Sequence, residues 1–320
     1  MSSFADAGAL KERRFANDYL KENSTARDAI ALRKKIIDGS RVFLEKSFYA
    51  DVEAAIAKNP REAQIGGIPS TINRIRAYIR LRATRKDLAP DGTELQIVND
   101  DYCWILIFFL LRSGFVTEAA EYVSSDPGFR SLDHKFVTYM TTYAQNRRLP
   151  RDLQQKINGE YQQRLRNAPE NTVDPYRMAC YKIIGRCDLS RRRLDGVGQG
   201  VEDWMWLQFT LAREDDRVEE IAGDFFGLED IQNDISEIGQ RVFAKGSDIL
   251  GGYGTFFLLQ ILGGMFENAV SYLGSHAPVS AVHFAIALDY YGLLRVSDFY
   301  TAGEEMCTQP MVLIKVMIIC

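Results

Sequence analysis

Apolar residues recur at three- and four-residue spacing along almost the whole chain, and that pattern restricts the fold more than any motif does. Ala29, Leu32 and Ile36, then Val42, Val52 and Ile56, keep a helical period, with an interruption expected near Gly39-Ser40. From Ser70 onward, Ile72, Ile75 and Ile79 mark one face, while Arg74, Arg76, Arg80, Arg82 and Arg85 decorate the others. Asp174-Pro175 reads as a helix start. The aspartate accepts from orphan N–H groups, and a proline at the first helical position gives up no hydrogen bond. Two-residue alternation is scarce, and neither Asp91-Gly92 nor Asp195-Gly196 joins two alternating apolar runs. An all-α chain follows. Short loops, at Asn59-Pro60, Pro90 to Gly92, Ser124 to Gly128, Leu149-Pro150, Pro169 to Val173 and Asp195 to Gly200, leave room for about fifteen helices.

At 320 residues the chain exceeds what one compact core comfortably holds, so it must split or elongate. One pair of segments repeats without gaps: Leu110 to Val123 aligns on Gln260 to Leu273, with Gly114 on Gly264, Ala119 on Ala269 and Tyr122 on Tyr272. The physics is that of a helical hairpin. An apolar helix stops at a glycine able to adopt a left-handed conformation, and the next helix starts at once with a small alanine at the close approach. Hairpins of this kind, stacked side by side, build an elongated α-solenoid; the alternative is two unrelated corners in a globular bundle.

Composition narrows the function classes. Thirty-nine basic against 43 acidic residues, a formal net charge of −4, carries no nucleic-acid footprint. The longest apolar run in the body, Trp104 to Leu111, is too short for a bilayer span of about 20 residues, and the first residues do not resemble a secretory signal. Cys103, Cys180, Cys187, Cys307 and Cys320 form no CxxC pair, which fits reduced thiols and makes the sequon Asn23-Ser24-Thr25 irrelevant. Met311 to Cys320 is almost wholly apolar; a truncated or aberrant terminus is the expected explanation.

No constellation nominates a catalytic centre. Gly196-Val197-Gly198-Gln199-Gly200 has neither the spacing nor the preceding strand of a dinucleotide loop, so it is read as a flexible connection beside the cationic Arg191 to Arg193. His134, His276 and His283 show no metal-ligand spacing, and no Gly-x-Ser-x-Gly elbow occurs. Glu118, Glu121, Glu202, Asp203, Glu214, Asp215 and Asp216 sit at helix ends, where acids are common. The arginines from Arg74 to Arg85, with Lys86 and the single aromatic Tyr78, read as a solvated face turned toward an acidic partner rather than nucleic acid. Trp104, Phe108 and Phe109, like Trp204, Trp206 and Phe209, have the spacing of core between helices. Catalytic, cofactor and metal residues are therefore expected to be none. Partner-binding residues cannot be assigned, because periodicity does not separate an exposed groove from a packed seam.

From Asp174 the chain resembles a known family. Asp174-Pro175-Tyr176-Arg177-Met178-Ala179-Cys180-Tyr181-Lys182-Ile183-Ile184-Gly185-Arg186-Cys187 looks like a signature of the nucleoporin-interacting component family. Glu202 to Gln208, Tyr253 to Phe256, Gln260 to Leu262, Phe266 to Val270, His283 to Leu288 and Tyr290 to Leu294 follow in that family's order. The likeness is specific over roughly residues 100–300. It implies a scaffold nucleoporin of the inner ring of the nuclear pore complex, at the nuclear envelope, built as a J-shaped, folded-back α-solenoid. It implies no catalytic residue and no cofactor. The implied partners are large inner-ring solenoid nucleoporins and a membrane-associated adaptor nucleoporin. The coiled-coil channel nucleoporins are captured in the family by an N-terminal extension, so the resemblance does not extend to them here.

The organisation expected is an N-terminal helical segment over 1–100, a central solenoid over 101–300 and an atypical apolar tail over 301–320. A vesicle-coat or tethering solenoid is the alternative with the same architecture. A compact globule of this length has a radius of gyration of about 20 Å. Solution scattering on the monomer is expected to exceed that value, and a return of it defeats the elongated reading.

Overall fold

The computed structural model describes residues 14–19, 27–64, 70–167, 174–198, 200–214, 225–243 and 252–295. The sequon, Gln199, Asp215, Asp216, the 169–173 loop, Cys307, Cys320 and the apolar tail lie outside them. In chain order the helices are α1 (Ala16–Tyr19), α2 (Arg27–Lys58), α3 (Pro60–Ala63), α4 (Thr71–Thr84), α5 (Cys103–Arg112), α6 (Val116–Ser125), α7 (Pro127–Leu132) and α8 (His134–Asn146). Then come α9 (Arg151–Asn167), α10 (Pro175–Gly185), α11 (Val201–Leu211), α12 (Leu228–Ile238), α13 (Tyr253–Leu262), α14 (Phe266–His276) and α15 (Pro278–Tyr291). A π-helical turn, Gly239–Phe243, extends α12. The fold is thus all-α, as the periodicity predicts, built of helical hairpins packed side by side. No described helix is long and apolar enough to cross a membrane.

The chain divides into two units, Met1–Ser40 with Ala212–Cys320, and Arg41–Leu211. In the first, α13, α14 and α15 each pack on their predecessor. In the second, α5 lies against α4, α6 and α10, and α8 against α6, α7 and α10. Helix α2 supplies residues 27–40 to the one and 41–58 to the other. The expected interruption at Gly39-Ser40 does not occur. A glycine in a helix costs only about 1 kcal/mol, which 32 residues of helix absorb. The Ser40 hydroxyl donates to the Leu262 carbonyl at 2.7 Å within the first unit. The buried apolar positions of α2 are Ala29, Leu32, Ile37, Leu44, Val52 and Ile56, whereas Ile36 is half-buried and Val42 is exposed.

The aligned hairpins close with the same backbone bonds. Phe115 N–H donates to Leu110 O at 2.8 Å and Gly114 N–H to Leu111 O at 3.0 Å; Met265 and Gly264 repeat this to Gln260 and Ile261 at 2.9 and 3.1 Å. Both are Schellman turns with glycine at φ +83° and +70°. Ala119 and Ala269 are both fully buried, the close approach that a small residue permits. The same turn ends α4 at Lys86, and α10 ends at a left-handed Arg186 whose N–H and that of Cys187 both donate to Lys182 O; neither residue gives a glycine signal. A further local departure is a two-residue antiparallel pairing, Ile97–Val98 with Asp101–Tyr102, reversed through Asn99 and Asp100 at φ +48° and +65°. Asx residues tolerate that region, so a hairpin forms without a glycine.

A Cβ at Gly114 would sit 2.7 Å from Glu45 Oε2 in addition to its positive φ, whereas one at Gly39 would meet nothing within 4 Å. Gly114→Ala is therefore expected to destabilise by about 2 kcal/mol or more, and Gly39→Ala to stabilise by about 0.5–1 kcal/mol. Chemical denaturation of the two variants checks this opposition of sign.

Candidate functional site

The chemistry-bearing groups of residues 41–211 gather around α5, which is buried at every position because its sequence is apolar all round. Trp104 packs edge-on to Phe129 and Phe136 at 5.1 and 4.8 Å; Phe108 meets Tyr176 and Trp206 at 5.3 and 5.9 Å. Trp104, Phe108, Phe109, Trp206 and Phe209 are core, as their spacing predicts, and Trp204 is half-buried.

Three buried ionic centres fix this unit. Arg112, 1% exposed, donates to Asp203 Oδ1 and the Leu44 carbonyl, both at 2.8 Å, and its guanidinium lies over Phe48 and Trp206. Glu45 accepts from Arg147 at 2.6 Å and Arg41 at 3.2 Å, beside the Gly114 turn whose carbonyl Arg147 also holds. Asp133 caps α8 through Phe136 N–H and accepts from Tyr181 Oη–H at 2.7 Å and Arg177 at 2.6 Å. The caps at Asp133 and Asp174 are legible as acids placed just before helical runs. Nothing local identifies Glu45 or Arg147.

Asp174 performs the predicted capping, accepting from Tyr176 and Arg177 N–H, and its second oxygen accepts from Gln96 N–H at 2.9 Å. Burial raises its pKa, with those three N–H groups pulling the other way.

The arginine row is solvated in large part, as expected, with Arg74, Arg80, Arg85 and Lys86 exposed and Arg76 and Arg82 half-buried, but its arginines are engaged within the chain. Arg74 pairs with Glu53, Arg76 with Asp101, Arg82 with Asp87 and Arg85 with Glu62, while Arg80 donates to the Ala63 carbonyl. The partners belong to α2, α3 and the 87–101 segment, so α4 spends these cations on holding its neighbours.

Of the other nominated groups, His134, His276 and His283 are exposed; His276 stacks on Tyr253 and lies tilted against Tyr272. Glu214 caps α12 through Leu228 N–H and pairs with Arg33. Glu118 is half-buried, Glu121 and Glu202 are exposed, and Asp203 serves Arg112. Burial pushes the Cys103 thiol up to about 12 and raises Cys180 and Cys187 as well, so these thiols stay protonated. Among the described residues no group of His, Cys, Asp or Glu is arranged to hold a metal.

The Gly196–Gly200 loop borders a cavity of about 460 Å³. Its walls include Phe48, Phe109, Tyr176 and the pairs Arg82–Asp87 and Arg112–Asp203. The loop's cationic neighbours are engaged: Arg191 and Arg193 with Asp195, Arg192 with Gln208.

These features define an all-α hairpin array whose charged groups close largely on one another. The sequence pattern of the Nup93/Nic96 family matches residues 3–319, and the chain belongs to that family. It is 53% identical to Nucleoporin NIC96 of Chaetomium thermophilum over 307 residues, 94% of this chain and 28% of that protein. It is 30% identical to Nucleoporin NIC96 of Saccharomyces cerevisiae, over 82% of this chain and 30% of that protein. The crystal structure of Chaetomium thermophilum Nic96 SOL superposes with a TM-score of 0.87, covering 93% of this chain and 42% of the other. The chain thus spans under a third of the length of these curated relatives.

Because Asp174's folded-state pKa lies above its unfolded value, the native state binds the extra proton, and stability falls as pH rises through the interval between the two. Asp174→Asn keeps a good cap without that titration. Its stability relative to the parent is expected to improve with rising pH across the interval, as urea midpoints at several pH values will report.

Proposed function

We propose that this chain is part of a structural scaffold nucleoporin of the inner ring of the nuclear pore complex. It works by binding and spacing other nucleoporins and does not catalyse a reaction. The observation that carries the reading is the family match running from residue 3 to 319, together with relatives whose names place them among nucleoporins. The buried geometry supports it. Ionic groups fixed at both ends by protein partners, and thiols held protonated, give a frame of constant shape rather than a site that cycles through protonation states.

The partners proposed are large inner-ring solenoid nucleoporins and a membrane-associated adaptor nucleoporin. Capture of the channel nucleoporins is not proposed for this stretch. Endogenous tagging is expected to give continuous rim staining at the nuclear envelope, with inner-ring nucleoporins recovered in a pull-down. Cytoplasmic puncta that co-fractionate with vesicles would transfer the reading to a coat or tethering scaffold.

A further inference from the structure

The cleft bordered by α8, α9 and α10 holds a cation that the fold leaves without a hydrogen bond. Its volume is about 550 Å³, and its walls include Asp133, Lys135, Glu160, Gln163, Arg164 and Arg177. Two arginines converge on Asp133 Oδ2, which already accepts from the Tyr181 hydroxyl at 2.7 Å and from Arg177 at 2.6 Å. Arg164 lies 3.8 Å from that oxygen, beyond hydrogen-bond reach. Its guanidinium donates to no acceptor among the described residues, and its Nε is buried without a partner.

An exposed arginine needs no protein partner, because water serves it. The Arg164 side chain is only 33% exposed and is braced on the Tyr181 ring, 5.3 Å from its centroid. It has given up much of its water without gaining an acceptor, a condition that costs free energy unless something supplies one. Arg177 shares the condition in part. It makes one side-chain hydrogen bond, to Asp133, lies over Trp104 at 5.1 Å and keeps a buried, unpartnered Nε.

The walls set the charge of the missing acceptor. Lys135, Arg164 and Arg177 outnumber Asp133 and Glu160 by one. Glu160 is occupied by Lys135 at 3.2 Å and by the Tyr139 hydroxyl at 3.0 Å, so the surplus falls to the arginines. A carboxylate matches a surplus of one and offers two oxygens to a guanidinium fork. A phosphate monoester, at a charge of about −1.5 to −2, would bring more charge than that against the two resident carboxylates.

We infer that this cleft binds an aspartate or glutamate side chain of a partner segment, its carboxylate accepting from Arg164 and Arg177. Lys135 and Gln163 are exposed, which leaves the cleft open to an arriving chain. The inference names one contact for the partner-binding reading. Short peptides test the cleft alone, so its failure leaves that reading standing.

The probes are end-blocked Ala-Glu-Ala and Ala-Gln-Ala, which differ in one charge, with the phosphoserine peptide as a third. On the full chain, the acidic peptide is expected to shift the Arg164 side-chain N–H resonances saturably and the glutamine peptide to leave them in place. Gln163→Glu, at an exposed helical position on the wall, adds a competing carboxylate and is expected to weaken the acidic peptide about fivefold, the worth of one exposed ion pair. Equal responses to the acidic and glutamine peptides, no response to either, a stronger response to phosphoserine, or undiminished binding in folded Gln163→Glu overturns the inference. Tighter binding in Glu170→Gln also overturns it, by assigning the cleft to this chain's own carboxylate. If Gln163→Glu does not fold, the comparison of peptides on the parent chain decides.

Discussion

A helix with no solvent face sets the terms for residues 41–211. Every side of α5 needs an apolar neighbour, and its end has no water to finish in. Its last side chain is a cation, Arg112, and burying an unpaired charge would cost more than any single packing contact returns. The Leu44 carbonyl, the Asp203 carboxylate and two aromatic faces meet that demand together. Those partners come from α2 and α11, so satisfying one guanidinium also fixes two helices against the core. The chain must then reverse at once, at Gly114, where Glu45 leaves no room for a side chain and Arg147 ties that carboxylate to the turn's own carbonyl.

The matching hairpin shows which part of this is general. Gly264 makes the same backbone turn, but its α-carbon faces Ile36, an apolar side chain, where Gly114 faces a carboxylate. What is common is a left-handed glycine, two carbonyls satisfied by the turn, and a buried alanine one turn into the next helix. What the corner docks against is free to differ. Tyr122 and Tyr272 make the point again: the first is buried beside Phe129, the second is half-buried between Phe256 and His276. The repeat is a backbone device, and side-chain identity is retained only where two helices touch.

This explains how far the sequence could be read. Helical period, caps and glycine turns are local, and the elements they predict, α10 from Asp174-Pro175 and the corners at Gly114 and Gly264, are present. The break expected at Gly39-Ser40 rested on propensity alone, a weak prior that a hydroxyl bonded to Leu262, 222 residues away, overrides. Lys86 and Arg186 take the left-handed turn without the residue that would announce it. The arginine row was legible as charge but not as pairing, because Asp101 and Glu53 lie 25 and 21 positions from their partners. Glu45 offered least of all: a glutamate inside a helix is ordinary until Arg147, 102 residues on, is folded beside it.

Ionic groups of this kind do little for net stability, since desolvation offsets most of their attraction. What they supply is uniqueness. Glu45 is satisfied in one arrangement of α2, the Gly114 turn and Arg147, and Asp133 in one arrangement of α8, α9 and α10. An apolar core alone tolerates small slides between helices at little cost; a buried carboxylate with two or three geometrically fixed donors does not. A frame that spaces other proteins needs that intolerance more than it needs extra stability.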